Sequence, residues 1–366
     1  MPDPSVLAHV TDVHCHPTDS GPVDNTAMKS LPITICAMAS KMDDQGKVRE
    51  LAENWPDKVV PAFGYHPWWS HHIALTPTTR EEHYRGLFLP AGVKASDVLA
   101  SAFSRLLPSL PEPVFLSTIV STLRENLLSN PRAMLGEVGL DRAARVPFPP
   151  SSSAEDEPRE FSPFTTPLAH QLAVIEAQIA IAVELRRNVS LHSVKAPQQT
   201  RELLDRMAVT YGESWRAISV DLHSCGVSPQ VWAEIEKRHP NAFLSLSKAI
   251  NARSPNHLAL IKACDPARLL VESDYPDVRF VAEQTWAMIE TIAEVRGWRV
   301  ETTWEQDAGD KTQWGVVRRL EANWQAFVRG RHVPERKERK RARRMDFSYQ
   351  DWESEDEGEA PVGPPV

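Results

Sequence analysis

Short apolar runs alternate with helical patterns over most of the chain. This rhythm predicts repeated βα units around a parallel sheet. Helices are expected between the strands, for example Leu168–Arg186 and Pro229–Arg238. Eight strands in this order predict a closed (β/α)8 TIM barrel. They are predicted at Ala8–His14, Ile33–Ala39, Val59–Gly64, Ala133–Val138, Val189–Leu191, Ala217–Leu222, Ala242–Leu246 and Arg268–Val271.

Two stretches interrupt the rhythm and are predicted to be loop insertions. The first, at about 76–112, contains four prolines and follows the third strand; the second, 145–163, is rich in Pro, Ser and acidic residues and follows the fourth. Long loops without elements of their own are usually functional lids or disordered segments. Because both follow the carboxyl ends of strands, they are expected on the face where barrel active sites form.

The composition changes abruptly near residue 331, where the barrel, residues 1–330, is predicted to end. A basic run at 336–344 is followed by an acidic stretch at 351–359. Residues 331–366 are therefore predicted to be a disordered charged tail. The basic run is also a weak nuclear localisation signal, so a cytoplasmic and/or nuclear location is expected.

Composition narrows the function without fixing it. A net charge of -8 over 366 residues argues against a basic protein that coats nucleic acid, but allows an enzyme that holds a phosphate chain through metal ions. The four cysteines form no C-x-x-C pair, which favours free thiols. The apolar stretch Leu172–Leu185 is short and broken by polar residues, so no membrane partner is expected.

The first chemical motif is Asp12-Val13-His14-Cys15-His16, at the end of the first strand. Residues two apart in a strand point to the same side, so both imidazoles can face the barrel mouth. They would form half of a site for a divalent ion, with Asp12 orienting one ring. The alternative is that H-x-H occurs by chance among thirteen histidines.

The second motif is Glu137, which lies among apolar neighbours near the end of the fourth strand. A carboxylate there is costly to bury unless a cation or hydrogen bonds compensate it. Glu137 could bridge two metal ions. The alternative is a structural salt bridge with Arg142.

Three more strands end in a potential ligand: His192 after the fifth, His223 after the sixth and Asp274 after the eighth. Taken singly, such a histidine is more often a core residue. Independent core histidines should not fall repeatedly at strand ends together with a Glu and an Asp. The set predicts a site for one or two divalent ions, Zn²⁺ or alternatively Mn²⁺ or Mg²⁺, with Glu137 between them.

The chain resembles the TatD family of metal-dependent deoxyribonucleases, most closely a fungal branch with longer loops. The likeness spans roughly residues 8–328, including Ala322-Asn323 in the last helix. The ordered motifs that carry it are Asp12-Val13-His14-Cys15-His16, Gly64-Tyr65-His66-Pro67, Gly136-Glu137-Val138-Gly139-Leu140-Asp141, Leu191-His192-Ser193, His223-Ser224-Cys225-Gly226 and Glu272-Ser273-Asp274.

The resemblance implies a role for each predicted ligand. His14 and His16 hold one metal, Glu137 bridges, and His192 and His223 bind the second. Asp274 completes the site and accepts the proton of the nucleophilic water, so Asp274 and Glu137 are the predicted catalytic residues. Members of the fungal branch are sometimes described as partners of an anaphase-promoting-complex subunit, which implies a protein partner.

This chain departs from the family pattern where substrate would lie. It has Val194-Lys195 where the family commonly has Arg-Asp, and Tyr275-Pro276 after the last ligand. The expected reaction is cleavage of phosphodiester bonds in DNA, at single strands or duplex ends, by metal-activated water. His66 and Trp68 are predicted to line the rim of the site and to contact substrate, with stacking of Trp68 on a base. Loop packing is the alternative for Trp68 and Trp69.

Two other functions stay open. The first is a related hydrolase of cyclic amides or esters. Such enzymes often carry a lysine where this chain has Glu137, so the presence of Glu137 favours the deoxyribonuclease. An interaction protein could instead retain the barrel and metal site while working through a partner.

Overall fold

The structure is a computed structural model that describes residues 1–89, 96–149, 159–306 and 309–333. Most of the predicted tail, including the basic run 336–344, lies outside the described residues. So do residues 90–95 of the first predicted insertion and 150–158 of the second.

Eight parallel strands form one sheet, in the order in which they occur along the chain. Two further strands of two residues each form a separate sheet near the first insertion. The strands of the described residues are β1 (Thr11–Cys15), β2 (Thr34–Met38), β3 (Val59–Phe63), β4 (Ile73–Ala74), β5 (Val114–Phe115), β6 (Met134–Asp141), β7 (Val189–Val194), β8 (Val220–Leu222), β9 (Ala242–Leu246) and β10 (Leu269–Val271). Only β4 and β5 belong to the separate pair.

The outer strands β1 and β10 approach one another, and the sheet nearly closes. Just beyond β10, the Asp274 amide donates to the His14 carbonyl at 2.9 Å, and the His16 amide donates to the Tyr275 carbonyl at 3.0 Å. These backbone bonds join the two edges at the mouth, the end at which the strands' carboxyl termini lie. The predicted barrel is confirmed.

Helices fill the connections between strands. They are α1 (Pro4–Leu7), α2 (Asn25–Ser30), α3 (Gln45–Asn54), α4 (Arg80–Phe88), α5 (Asp97–Leu106), α6 (Leu116–Ser129), α7 (Leu168–Leu185), α8 (Pro197–Tyr211), α9 (Glu213–Arg216), α10 (Pro229–Arg238), α11 (Lys248–Asn251), α12 (Asn256–Ala263), α13 (Val278–Arg296) and α14 (Val316–Arg329). Short 3₁₀ turns occur at Pro67–His72, Leu107–Ser109 and Lys311–Gln313.

Local chemistry explains where the elements begin and end. The predicted bounds of α10 are confirmed, because Ser228 caps it by accepting from the Val231 amide and a proline follows the cap. The first strand begins three residues later than predicted, because α1 and its Asp3 cap occupy the preceding segment. α7 ends at Leu185 because Arg186 adopts a left-handed φ of 53°.

The barrel separates two apolar layers. One lies between the sheet and the surrounding helices, and the other fills the barrel interior with side chains such as Val13, Met38 and Phe243. Trp324 and Phe327 of α14 pack against this interior layer from the amino-terminal end of the strands. Asn323 of the same helix donates to the Leu269 carbonyl at 2.8 Å, which ties α14 to β10.

The two predicted insertions pack against each other. The first forms α4 and α5, so it is not a loop without elements of its own. The guanidinium carbon of its Arg105 lies 3.8 Å from the ring centroid of Phe148 in the second. Its buried Phe88 stacks on Phe164, the residue just after the second, with ring centroids 5.1 Å apart. A small separate core therefore lies beside the barrel.

Helix α7 is the one helix of the described part of the chain that is long and apolar enough to cross a membrane. It has 18 residues and a mean hydropathy of 1.4, so the expectation that it is too short was wrong. Half of it is nevertheless buried inside the protein. Gln178 accepts from the Tyr65 amide at 2.8 Å and donates to the Tyr65 carbonyl, contacts typical of a core helix.

Candidate metal centre

The structure brings all six predicted ligands together at the mouth of the barrel. They come from β1, β6 and β7 and from the segments directly after β1, β8 and β10. Strand pairing is irregular beside two of them: the β1–β2 register shifts between Asp12 and Cys15, and the β6–β7 register shifts between Leu135 and Val138. Such irregularities redirect side chains and are common next to active sites.

Close approach of β6 to β7 requires a glycine. A Cβ added at Gly139 would lie 2.1 Å from the His192 carbonyl oxygen. Any larger residue would push β7 away, and with it His192. The Gly-Leu-Asp part of the motif thus serves the position of the histidine on the neighbouring strand.

The Glu137 carboxylate lies at the centre, and its two oxygens face different histidines. Oε2 is 3.2 Å from His16 Nε2 and 3.6 Å from His14 Nε2. Oε1 is 2.8 Å from His192 Nδ1, 3.0 Å from His223 Nε2 and 3.1 Å from His66 Nε2. The predicted alternative, a salt bridge from Glu137 to Arg142, is absent among the described residues.

Asp274 lies on the Oε2 side. Its Oδ1 is 3.6 Å from His16 Nε2 and 4.0 Å from His14 Nε2. Its side chain is 16% exposed, against 5% for Glu137. The residue adopts a left-handed φ of 47°, an uncommon conformation that aspartate tolerates better than most residues and that is often found at functional sites.

Asp12 fixes the backbone that carries Asp274. Its Oδ1 accepts from the Ser273 amide at 3.0 Å and its Oδ2 from the Ser273 hydroxyl at 2.5 Å. The same carboxylate accepts from the His14 amide at 3.2 Å. Asp12 was expected to orient a ring, but it binds main chain on both sides of the barrel seam. Ser190 contacts the His14 ring instead, with Oγ 2.7 Å from Nδ1.

His66 lies deeper than the predicted rim position and is buried. It caps the 3₁₀ turn Pro67–His72, and its Nδ1 accepts from the Trp68 amide at 3.1 Å. A neutral imidazole that accepts at Nδ1 carries its hydrogen on Nε2. Nε2 therefore donates to Glu137, so this ring orients the carboxylate.

Trp68 lies at the rim, 55% exposed, and a hydrogen bond holds its indole. Nε1 donates to Asp141 Oδ2 at 2.7 Å, and the same oxygen is 3.6 Å from His192 Nε2. The ring also packs edge-on against His66, with ring centroids 4.8 Å apart, so the packing alternative stays open for Trp68. Trp69 is partly buried, with Lys41 Nζ 5.5 Å from its ring centroid.

The electrostatics of the site differ from ring to ring. Burial alone would raise the pKa of Glu137, but the nearby imidazoles of His66 and His223, with hydrogen bonds from His14 and His16, hold it well below its usual value. Burial lowers the pKa of His16, yet contact with Glu137 outweighs this and raises it to about 9. The pKa of His14, which is fully buried beside His223, is lowered to about 3.

The donor set fits divalent cations. Ligating atoms within 4.8 Å of one another form two groups that share Glu137: His14 and His16 form one with it, His66 and His192 the other. Two buried ring nitrogens, His16 Nδ1 and His192 Nε2, have no hydrogen-bond partner among the described residues. Imidazoles around a shared carboxylate suit Zn²⁺ and other borderline ions.

Sequence reasoning did not find three of these contacts. Ser190 lies two residues before His192 on the same face of β7, and that alternation could have indicated it. Asp141 is the last residue of the Gly136–Asp141 motif. Its partners, the Trp68 indole and the His192 ring, lie on other segments of the chain. The tautomer of His66 depends on a backbone amide, for which sequence carries no pattern.

This barrel and its site define the class: a metal-dependent hydrolase built on a TIM barrel. A sequence model described as TatD related DNase matches residues 11–308, most of the chain. The chain belongs to this family.

Two curated fungal relatives resemble most of the chain. Cut9-interacting protein scn1 of Schizosaccharomyces pombe is 28% identical over 333 residues, 81% of this chain and 96% of the relative. An uncharacterized deoxyribonuclease of Saccharomyces cerevisiae is 28% identical over 284 residues, 73% of this chain and 83% of the relative. The crystal structure of the TatD homolog YJJV from Escherichia coli shares the fold, with a TM-score of 0.54 and 18% identity over 88% of this chain and 98% of that one.

Proposed function

We propose that this chain is a deoxyribonuclease that hydrolyses phosphodiester bonds at the mouth of its barrel with one or two divalent cations. Zn²⁺ suits the histidine-rich donors best, and Mg²⁺ or Mn²⁺ are the alternatives. The observation that carries the proposal is the division of the Glu137 carboxylate, one oxygen facing each group of imidazoles. The proposed metal ligands are His14, His16, Glu137, His192, His223 and Asp274.

When bound, the cations would supply an activated water and neutralise charge that develops on the phosphate. The chain's own groups do the remaining work. Asp274 is the most accessible of the central carboxylates and can accept a proton at Oδ1. His66 donates to Glu137 Oε1 and holds that carboxylate in place.

DNA as substrate is supported by membership of the family and by the name of the Saccharomyces cerevisiae relative, an uncharacterized deoxyribonuclease. The exposed ring of Trp68 offers a stacking surface beside the site. Stacking tolerates any base and requires an unpaired one, which favours single strands or frayed duplex ends.

The test is metal analysis of the purified protein followed by cleavage of end-labelled oligonucleotides with and without chelator. Cleavage should be lost with chelator and return with one of Zn²⁺, Mg²⁺ or Mn²⁺. A panel of cyclic amides and esters is assayed in parallel. Turnover of that panel with no cleavage of DNA would contradict the proposal.

A protein-binding function is the second candidate, favoured by the likeness to Cut9-interacting protein scn1. The Asp274→Ala variant separates the two, because it should stop hydrolysis without altering the outer surface. Full rescue of a null strain by that variant would favour the binding function.

Location is also a proposal: cytoplasmic and/or nuclear, through the basic run 336–344. Fluorescence of a tagged protein lacking residues 331–366 tests it. An unchanged, uniform cytoplasmic distribution would remove the targeting role.

A further inference from the structure

A second cleft lies at the end of the barrel opposite the metal centre. Its volume is about 310 Å³, within the range of small-ligand sites. Its lining comes from the start of β3, the residues just before β6 and β7, and α14. Because strand amino termini lie at the bottom of the barrel, this cleft is remote from the predicted catalytic residues.

Three arginines line this cleft, and none has a carboxylate partner among the described residues. Arg132 Nη1 donates to the Pro56 carbonyl at 2.7 Å, and Arg187 Nη1 donates to the Pro131 carbonyl. The Nε of Arg187 is buried and has no acceptor in the described part of the chain. Arg186 is exposed, and within the described residues its side chain has no hydrogen bond or ion pair.

The walls of the cleft are fixed by backbone contacts. Arg186 ends α7 in the left-handed conformation, which turns the chain toward β7. Asn188 Nδ2 then donates to the Phe327 carbonyl at 2.9 Å, while its Oδ1 accepts from the Ser219 amide. The end of α14 is thereby tied to the start of β7. The cleft is a built feature of the fold.

Most of the remaining lining is apolar, apart from Asn188 and Gln325. Val60 and Met134 form the buried part with Trp324, and Val328 lies 51% exposed at the edge. Guanidinium groups gathered without anions repel one another, and their planar N–H donors match phosphoryl oxygens. An apolar wall beside such donors is suited to a ligand that has an anionic group at one end and an apolar group at the other.

We propose that this cleft binds a small organic phosphate, whose phosphoryl group contacts the arginines while an apolar body packs against the wall. Arg132 and Arg186 are exposed, whereas Arg187 is partly buried. Neither the metal centre nor the proposed nuclease activity is required, so this site stands or fails separately.

The test is calorimetric titration of the intact, metal-loaded protein with phenylphosphonate, which cannot be hydrolysed as a phosphate ester. Arg186→Gln should weaken binding about tenfold, the loss expected for one charge-assisted hydrogen bond. Arg329→Gln is the matched control: it removes the same charge from an exposed arginine outside the cleft lining. It should change binding less than twofold.

Val328→Glu is a second variant that places a carboxylate beside the arginines. It should abolish binding at the cleft, and since Val328 is exposed, unfolding temperature and DNA cleavage should stay unchanged. Binding at the metal centre is common to all variants, so only the difference between them reports on the cleft. Equal affinity in wild type and both cleft variants would overturn the proposal, as would inorganic phosphate binding as tightly as phenylphosphonate.

Discussion

Histidines gather in two places on the side of the barrel that carries the metal centre, and the two groups differ in what their ring nitrogens face. The mouth histidines are His14, His16, His66, His192 and His223. The lateral histidines are His71, His72, His83 and His170. In the mouth group, nitrogens from all five rings approach the oxygens of Glu137.

The lateral histidines bond to backbone instead. His83 Nε2 lies 2.8 Å from the His71 carbonyl, and His170 Nε2 lies 2.9 Å from the Ser70 carbonyl. No carboxylate forms an ion pair with this group among the described residues. Burial lowers the pKa of all four, well below the usual value for His71 and to about 4 for His72.

Burial and proximity of imidazoles therefore do not define a metal site. Burial lowers the pKa of His16 and His192, but contact with Glu137, and with Asp141 at His192, outweighs it and raises both pKa values to about 9. At His14 and His66 burial prevails, as it does in the lateral group, which stays neutral. Variants of four residues test this difference in turn: Glu137, Asp274, Trp68 and His72.

Glu137→Gln should have the largest effect. The amide keeps the shape of the side chain but removes the negative charge shared by both imidazole groups, so bound metal should fall sharply and DNA cleavage about 10³-fold. Metal content and kcat are measured together. His170→Gln, in the lateral group, is the control and should leave both unchanged; equal losses in the two variants would erase the distinction.

Asp274→Asn should reduce kcat about 10²-fold, because it removes a proton acceptor. Asp274 lies outside the two groups of atoms gathered within 4.8 Å, so most of the metal should be retained. The ratio of metal to protein separates this variant from Glu137→Gln. Complete loss of metal would instead make Asp274 essential for holding the ion.

Trp68→Ala should raise KM for single-stranded DNA about tenfold, the effect of one lost stacking contact, with kcat changed little. Trp69→Ala is the matched variant, because that ring is partly buried and lies farther along the same turn. Steady-state kinetics on a short oligonucleotide measures both. An unchanged KM in Trp68→Ala would leave the rim tryptophan without a substrate role.

His72→Gln should have the smallest effect, seen only as a change in the pH dependence of stability. With a folded pKa of about 4 and an unfolded value near 6.5, His72 contributes stability above pH 6.5 that is lost as pH falls. Between pH 7.5 and 5.5 the wild type should lose about 1 kcal/mol more unfolding free energy than the variant. Urea denaturation at both values measures it, and parallel losses would contradict it.

The fold and the gathering of the six candidate ligands were predictable because the sequence marks strand ends clearly. Apolar runs place the eight strands, and the polar residues that follow them must share one mouth because all the strands are parallel. The lateral histidines lack that pattern: His71 and His72 lie in a turn just before the short strand β4, and do not directly follow the carboxyl end of a barrel strand. For predicting which histidines meet at the mouth, the position of a histidine relative to a strand end was more informative than the residues next to it in sequence.

Other features depend on contacts distant in sequence. Arg105 and Phe148 join two insertions that the sequence presents as unrelated loops. His66 was expected at the rim, since nothing in Gly-Tyr-His-Pro states that a backbone amide would fix its ring toward Glu137. The roles of the ligands toward metal stay predictions.

Anomalous X-ray diffraction from crystals of the metal-loaded protein tests the central claim most directly. Two peaks should flank the Glu137 carboxylate about 3.5–4 Å apart, one beside His14 and His16 and the other beside His192 and His223. No peak should occur among the lateral histidines. Metal bound away from Glu137, or among His71, His83 and His170, would contradict the claim that the shared carboxylate creates the site.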